Sequence, residues 1–312
     1  MHIKHTLLMA ATSIGFLLLR PGAVQAIVNA DNPASAIPDN TAAPSGLPQW
    51  NNVGSIGGAS GIYVGNGWVL TADHVGAGNF TLDGTTYDWN GKAEIRLSNP
   101  ADASYGAGQS TDLVMFQLTA IPTGVANLDV ASTSPAIGTT FYNVGYGLAR
   151  NTAEEYFTYD ATTGTFTQTS NTAAPYQGFG YGSPNTKSWG QNSIVGFQSY
   201  NIGFGPVNAF YSTFTTSTDQ IVSGDSGGGV FNAAGTLIGV NDAIGEYTNQ
   251  PAGTAFIGDQ SDLINIAPFY SQITQISGVP EPSCLALLTI FGLGILLLPR
   301  KPVAASVCEG AN

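Results

Sequence analysis

The sequence predicts an all-β fold closed by a single helix, and three observations carry that expectation. Short apolar runs at Gly61–Leu70, Leu113–Leu118, Thr140–Tyr146, Ser193–Gln198, Gly229–Phe231, Thr236–Val240 and Thr254–Ile257 alternate with glycine- and asparagine-rich punctuation. Many short strands at such spacing build a sandwich or a barrel. Only 9% of the residues are charged, against roughly 25% in an average soluble domain, which excludes a coiled coil or a charge-laced helical array. One stretch breaks the β pattern: Leu263, Ile264, Ile266, Ala267, Phe269, Tyr270, Ile273 and Ile276 recur at steps of three and four, the period of an amphipathic helix.

At 312 residues the chain is long enough for two domains, or for one large β unit, at about 150 residues per domain. Its 40 glycines and 17 prolines stay below the roughly 25–30% that marks low-complexity disorder. Eight basic against 20 acidic residues leave a net charge of −12, which repels phosphate backbones and excludes nucleic acid as a partner. Residues 29–50 read as an extended surface arm, and 151–190 as a long loop or hairpin insertion. No repeat of fixed period is present.

Both ends look unlike fold. His2, Lys4 and His5, an apolar run from Leu7 to Leu19, and the small residues up to Ala26 have the three-part pattern of a secretory signal peptide, predicted over 1–26. At the other end, Pro280, Glu281 and Pro282 precede an apolar stretch from Cys284 to Leu298 and the basic pair Arg300 and Lys301. Residues 279–312 resemble the PEP-CTERM sorting signal of Gram-negative bacteria. That resemblance implies an exosortase-type sorting machinery as partner and a transmembrane helix that anchors the precursor; an ordinary C-terminal anchor is the alternative. Either reading places the folded part outside the cytoplasm, at the periplasm, cell surface or beyond. No cysteine lies between residues 27 and 278, so the exported part needs no disulfide, and with His74 as its sole histidine it has no Cys/His cluster for zinc. No metal or cofactor is expected.

Three motifs carry chemistry. Ser223, Gly224, Asp225, Ser226, Gly227 and Gly228 spell SGDSGG, in which glycines permit the tight turn that an acyl-transfer nucleophile needs. Ser226 suits that role. Trp68, Val69, Leu70, Thr71, Ala72, Asp73 and His74 form a strand running into an imidazole, the cheapest general base near neutral pH. Asp112 stands immediately before the run Leu113–Leu118, where a carboxylate can accept from the imidazole N–H and fix its tautomer. Asp102 and Asp129 are rivals with poorer strand context.

Taken together, in the order His, Asp, Ser, these motifs resemble the trypsin or chymotrypsin family of serine peptidases over roughly residues 27–278. The resemblance implies two antiparallel six-stranded β-barrels, 27–130 with its arm and 131–278 with the closing helix. It further implies His74 as base, Asp112 as its orienter, Ser226 as nucleophile, an oxyanion hole from the N–H groups of Gly224 and Ser226, and a protein or peptide substrate. Asp73 stands where the family usually has alanine, and Val75 where it has cysteine. Counting from Ser226 puts Gln220 at the base of the specificity pocket, which lacks a negative charge for Arg or Lys, with Asp242, Ala243 and Ile244 as its walls; an uncharged P1 residue follows. Family members become active when a new N-terminal Ile-Val ammonium pairs with the Asp before the nucleophile. Here these would be Ile27, exposed by cleavage after Ala26, and Asp225. The competing function is a catalytically silent surface or matrix protein that keeps the fold for binding.

Overall fold

Asn66 and Gly67, with φ of 51° and 83°, fold the run from Gly61 to Leu70 into a hairpin. Two successive left-handed residues make the two-residue turn that matches strand twist, and Asn-Gly is the pair that best accepts it. The strands on either side are Ala59–Gly65 and Trp68–Thr71. The computed structural model describes residues 3–6, 27–30, 40–92 and 94–279. The chain divides into a unit Met1–Val279 and a unit Pro280–Asn312, and the latter lies outside the described residues.

Two antiparallel sheets dominate. The first runs Thr85–Tyr87, Phe80–Leu82, Val53–Ile56, Ala59–Gly65, Trp68–Thr71, Ser110–Gln117, Ile95–Ser98. The second runs Ser188–Ser193, Thr140–Gly145, Gly229–Asn232, Leu237–Tyr247, Gln260–Asn265, Val207–Thr213, Gly196–Tyr200, with Ile3–Thr6 paired beside Leu237–Tyr247. Each path therefore holds seven strands, the second sheet gaining its eighth in Ile3–Thr6 off the path, and no pairing among the described residues closes either one, where two closed six-stranded barrels were expected. Short turns explain part of the difference, because the run Ser193–Gln198 is also two strands parted at Ile194 and Val195.

The insertion after Tyr146 is a sheet of its own. Thr165–Thr169, Leu148–Asp160, Tyr176–Asn185 and Thr254–Phe256 pair in that order, and Phe166 packs edge-on to Tyr176 at 4.9 Å between centroids. The residues described within 29–50 are not simply a surface arm. Ile27 and Val28 are buried, Val28–Asn29 pairs with Asp219–Gln220, and Leu47 and Trp50 join the main core.

The helix predicted from Leu263 onward begins later. Gln260–Asn265 is a strand with neighbours on both sides, and the α-helix is Tyr270–Ser277, after a 3-10 turn Ala267–Phe269. A strand buried on both faces is apolar without alternation, which mimics half a helical period. The main core draws Leu47, Ile62, Leu70 and Met115 from the first sheet side together with Val144, Val240, Ile264 and Phe269 from the second, so it lies between them. Among the described residues no helix is long and apolar enough to cross a membrane. Cys284–Leu298, and all of the 1–26 segment except residues 3–6, lie outside those residues.

Candidate active site

His74 follows the strand Trp68–Thr71, whose partner strand Ser110–Gln117 carries Asp112, so adjacent strands of one sheet deliver the base and the acid. Asp112 holds the histidine twice. Its Oδ1 accepts the His74 backbone N–H at 2.9 Å and its Oδ2 lies 2.8 Å from Nδ1. With Asp112 as the buried acceptor, that contact puts the ring proton on Nδ1 and leaves Nε2 as the free base. Nε2 has no hydrogen-bond partner among the described residues. Asp73 turns away to an ion pair with Arg96, 3.0 Å from Nε, and burial nevertheless raises its carboxyl above the ordinary range. Asp102 and Asp129 are exposed.

The serine comes from the second sheet side, on the loop before Gly229–Asn232. Gly224 and Gly227 have φ of 93° and 80°, conformations that only glycine takes without strain. A Cβ on Gly227 would sit 2.1 Å from Thr71 Oγ1 and 2.3 Å from the Ser60 carbonyl, so the loop presses directly on the first sheet. Ser60 fastens it further: its N–H donates to the Ser226 carbonyl at 2.9 Å and its hydroxyl to the Gly224 carbonyl at 2.8 Å. Ser226 Oγ donates to the Asp242 carbonyl at 3.3 Å rather than to His74. The backbone N–H groups of Gly224 and Ser226 make no hydrogen bond among the described residues, which leaves both donors for a ligand oxygen.

The expected pocket residues separate. Gln220 is fully buried, its amide donating to the Gln260 carbonyl at 3.0 Å and accepting from Ser261 Oγ at 3.1 Å. Ala243 belongs to the main core, and Ile244 packs with Phe210, Ile221 and Leu263. Asp242 points at the histidine: its Oδ1 is 3.6 Å from Nδ1, while Tyr200 O–H donates to its Oδ2 at 2.6 Å.

Asp225 and Ile27 are not joined. The Ile27 N–H donates to Ser188 Oγ at 2.6 Å. The Asp225 carboxyl accepts the N–H groups of Gly147 at 2.9 Å and Val222 at 2.8 Å, and burial pushes its pKa up to about 8.

Two residues of the site escaped sequence reasoning. Phe204 lies with its ring 5.7 Å from the imidazole, on a loop whose Gly203 and Gly205 have φ of 107° and 110°. Tyr200, just before that loop, is buried. A phenylalanine between two glycines after a strand is an audible turn signal, but nothing local aims it at His74. For Asp242 the available signal was a buried-strand carboxylate beside Asn241, within the run Leu237–Tyr247.

The arrangement of imidazole, carboxylate, hydroxyl and paired N–H groups suits acyl transfer. A family model described as Trypsin matches residues 37–260. Comparison with curated proteins found no match. Similar solved structures include a mutant of human heparin binding protein, 16% identical with a TM-score of 0.46, covering 78% of this chain and 97% of that one. Another is neuropsin, a serine protease expressed in the limbic system of mouse brain, 15% identical with a TM-score of 0.46, covering 76% of this chain and 97% of that one.

Proposed function

The chain belongs to the trypsin family, and on that footing we propose that it is an exported serine endopeptidase. Ser226 Oγ attacks the scissile carbonyl, His74 Nε2 takes the hydroxyl proton and returns it to the leaving amine, and Asp112 holds the Nδ1 proton in place. The N–H groups of Gly224 and Ser226 receive the oxyanion, and water then hydrolyses the acyl-enzyme. The observation that carries this reading is the double hold of Asp112 on His74, which leaves Nε2 unpartnered on the side away from the acid. In this reading Ser226 Oγ leaves the Asp242 carbonyl and donates to Nε2 when substrate binds.

A pocket base at the neutral Gln220 belongs to the proposal and would favour an uncharged P1 residue, whereas Ala243 and Ile244 are packed into the cores. The two-barrel organisation belongs to the same proposal, as do export through the 1–26 segment and membrane anchoring and exosortase sorting through 279–312. Activation by a freed Ile27 ammonium is supported by the burial of Ile27 and Val28 and by a buried Asp225 that meets N–H donors but no cation. The Ser226 hydroxyl turned from His74 favours the second reading, a silent binding protein of the same fold. A fluorophosphonate probe decides between them: labelling of the folded protein that vanishes in Ser226→Ala supports the peptidase, and no labelling supports the binding protein.

A further inference from the structure

We propose that Asp242 is a positioning residue that holds a proton between Tyr200 and Asp112, so that the His74 imidazole faces one negative charge and not two. The inference deepens the peptidase reading and rests on it. A bulge between Asn241 and Ala243 in the pairing with Gln260–Asn265 aims the Asp242 carboxyl at the histidine. One carboxyl oxygen of Asp242, one of Asp112 and an imidazole nitrogen fall within 4.8 Å of one another, in side chains no more than 2% exposed. No lysine or arginine pairs with either carboxylate among the described residues. Two carboxyl groups confined in this way cannot both ionise.

The partners decide where the proton sits. Both oxygens of Asp112 already accept from His74, one from the backbone N–H and one from the ring, so neither is left to carry a proton. Asp242 accepts the Tyr200 phenol at Oδ2, while its Oδ1 has no hydrogen-bond partner. A proton on Oδ1 gives that atom a role, as donor to Asp112. Asp262, on the neighbouring strand, bears on Asp242, and Asp73, itself paired with Arg96, bears on Asp112 and His74. Burial raises the Asp242 carboxyl well above the usual carboxylate range, and the charges of Asp112 and Asp262 push the same way. The Tyr200 phenol is raised as well, so it stays a donor. A second negative charge beside the imidazole would favour its charged form and work against its use as a base.

The test uses the full chain with Asp242→Asn and Asp242→Ala. The carboxamide retains a donor for Asp112 and an acceptor for Tyr200. The wild-type minus Asp242→Asn infrared difference spectrum at neutral pH should contain the C=O band of a protonated carboxylic acid. Asp242→Ala should lower kcat roughly tenfold or more, and Asp242→Asn should recover most of that loss with the acid limb of the kcat/KM profile unmoved. Absence of the acid band, or an acid limb moved down by about one pH unit or more in Asp242→Asn, overturns the proposal. If neither variant folds, Tyr200→Phe leaves Asp242 in place, and its acid band should shift as the phenol is lost; an unmoved band overturns the proposal. If wild type takes no fluorophosphonate, the peptidase reading fails on its own, and the infrared band still decides the protonation of Asp242.

Discussion

Ser60 Oγ donates to the carbonyl of Gly224 across 164 residues of chain, and the same oxygen accepts the Tyr146 N–H at 2.8 Å. One hydroxyl thereby ties the first sheet to two loops of the second, on the side of the nucleophile where an oxyanion would be received. Ser60→Ala strands the half-buried Tyr146 N–H, and an unmade donor costs at most about 1–3 kcal/mol when fully buried. Calorimetry should show a lower Tm, and kinetics a kcat that falls more than KM rises. A variant with wild-type values of both would mean that the loop keeps its shape without Ser60.

Asp112→Asn should lower kcat by roughly 10⁴ while the fold persists, because the amide presents a donor to Nδ1 and favours the wrong tautomer. Circular dichroism controls for folding and active-site titration for the enzyme concentration. A loss below about tenfold would assign the orienting role to another carboxylate, and Asp242 would be the one to examine.

Stability should fall as pH rises from about 4 to about 8. The unfolded Asp225 releases its proton near 4, whereas burial in the native state holds it to about 8, so across that window the native state binds a proton that the unfolded chain lacks. Asp242 and Asp259, also raised by burial, act in the same direction. Calorimetry of the chain with residues preceding Ile27 should give a higher Tm at pH 5 than at pH 8. In a form beginning at Ile27, an ammonium beside Asp225 would flatten that slope and raise kcat/KM. Equal slopes and equal activity in the two forms would remove Ile27 from the mechanism.

A peptide library should show little cleavage after Arg or Lys, since Gln220 spends its amide on Gln260 and Ser261 and offers no charge. Dominant cleavage after Arg would displace Gln220 from the pocket base.

The parts of this molecule legible in the sequence are those set by near neighbours. A histidine at a strand end, an acid opening a strand and a serine among glycines are each local patterns, and His74 and Asp112 meet because their strands are adjacent. Asn66–Gly67 was equally local, a turn signal hidden inside an apolar run. The remainder depends on long-range placement. Leu263 and Ile264 look helical until strands flank them on both sides. Asp242 looks like a wall until a bulge re-aims it, and Phe204 gains meaning only from a histidine 130 positions earlier in the chain, a number readable from the sequence but not as proximity.

The pairing of Val28–Asn29 with Asp219–Gln220 joins a segment near the start of the chain to one shortly before the nucleophile. Closing so long a loop is entropically costly, and contacts of this separation form late in folding. The backbone that carries Gln220 is thus completed only when Val28–Asn29 meets a segment made about 190 residues later. For a peptidase, that order of events delays competence until its own unfolded, cleavable segments have been put away.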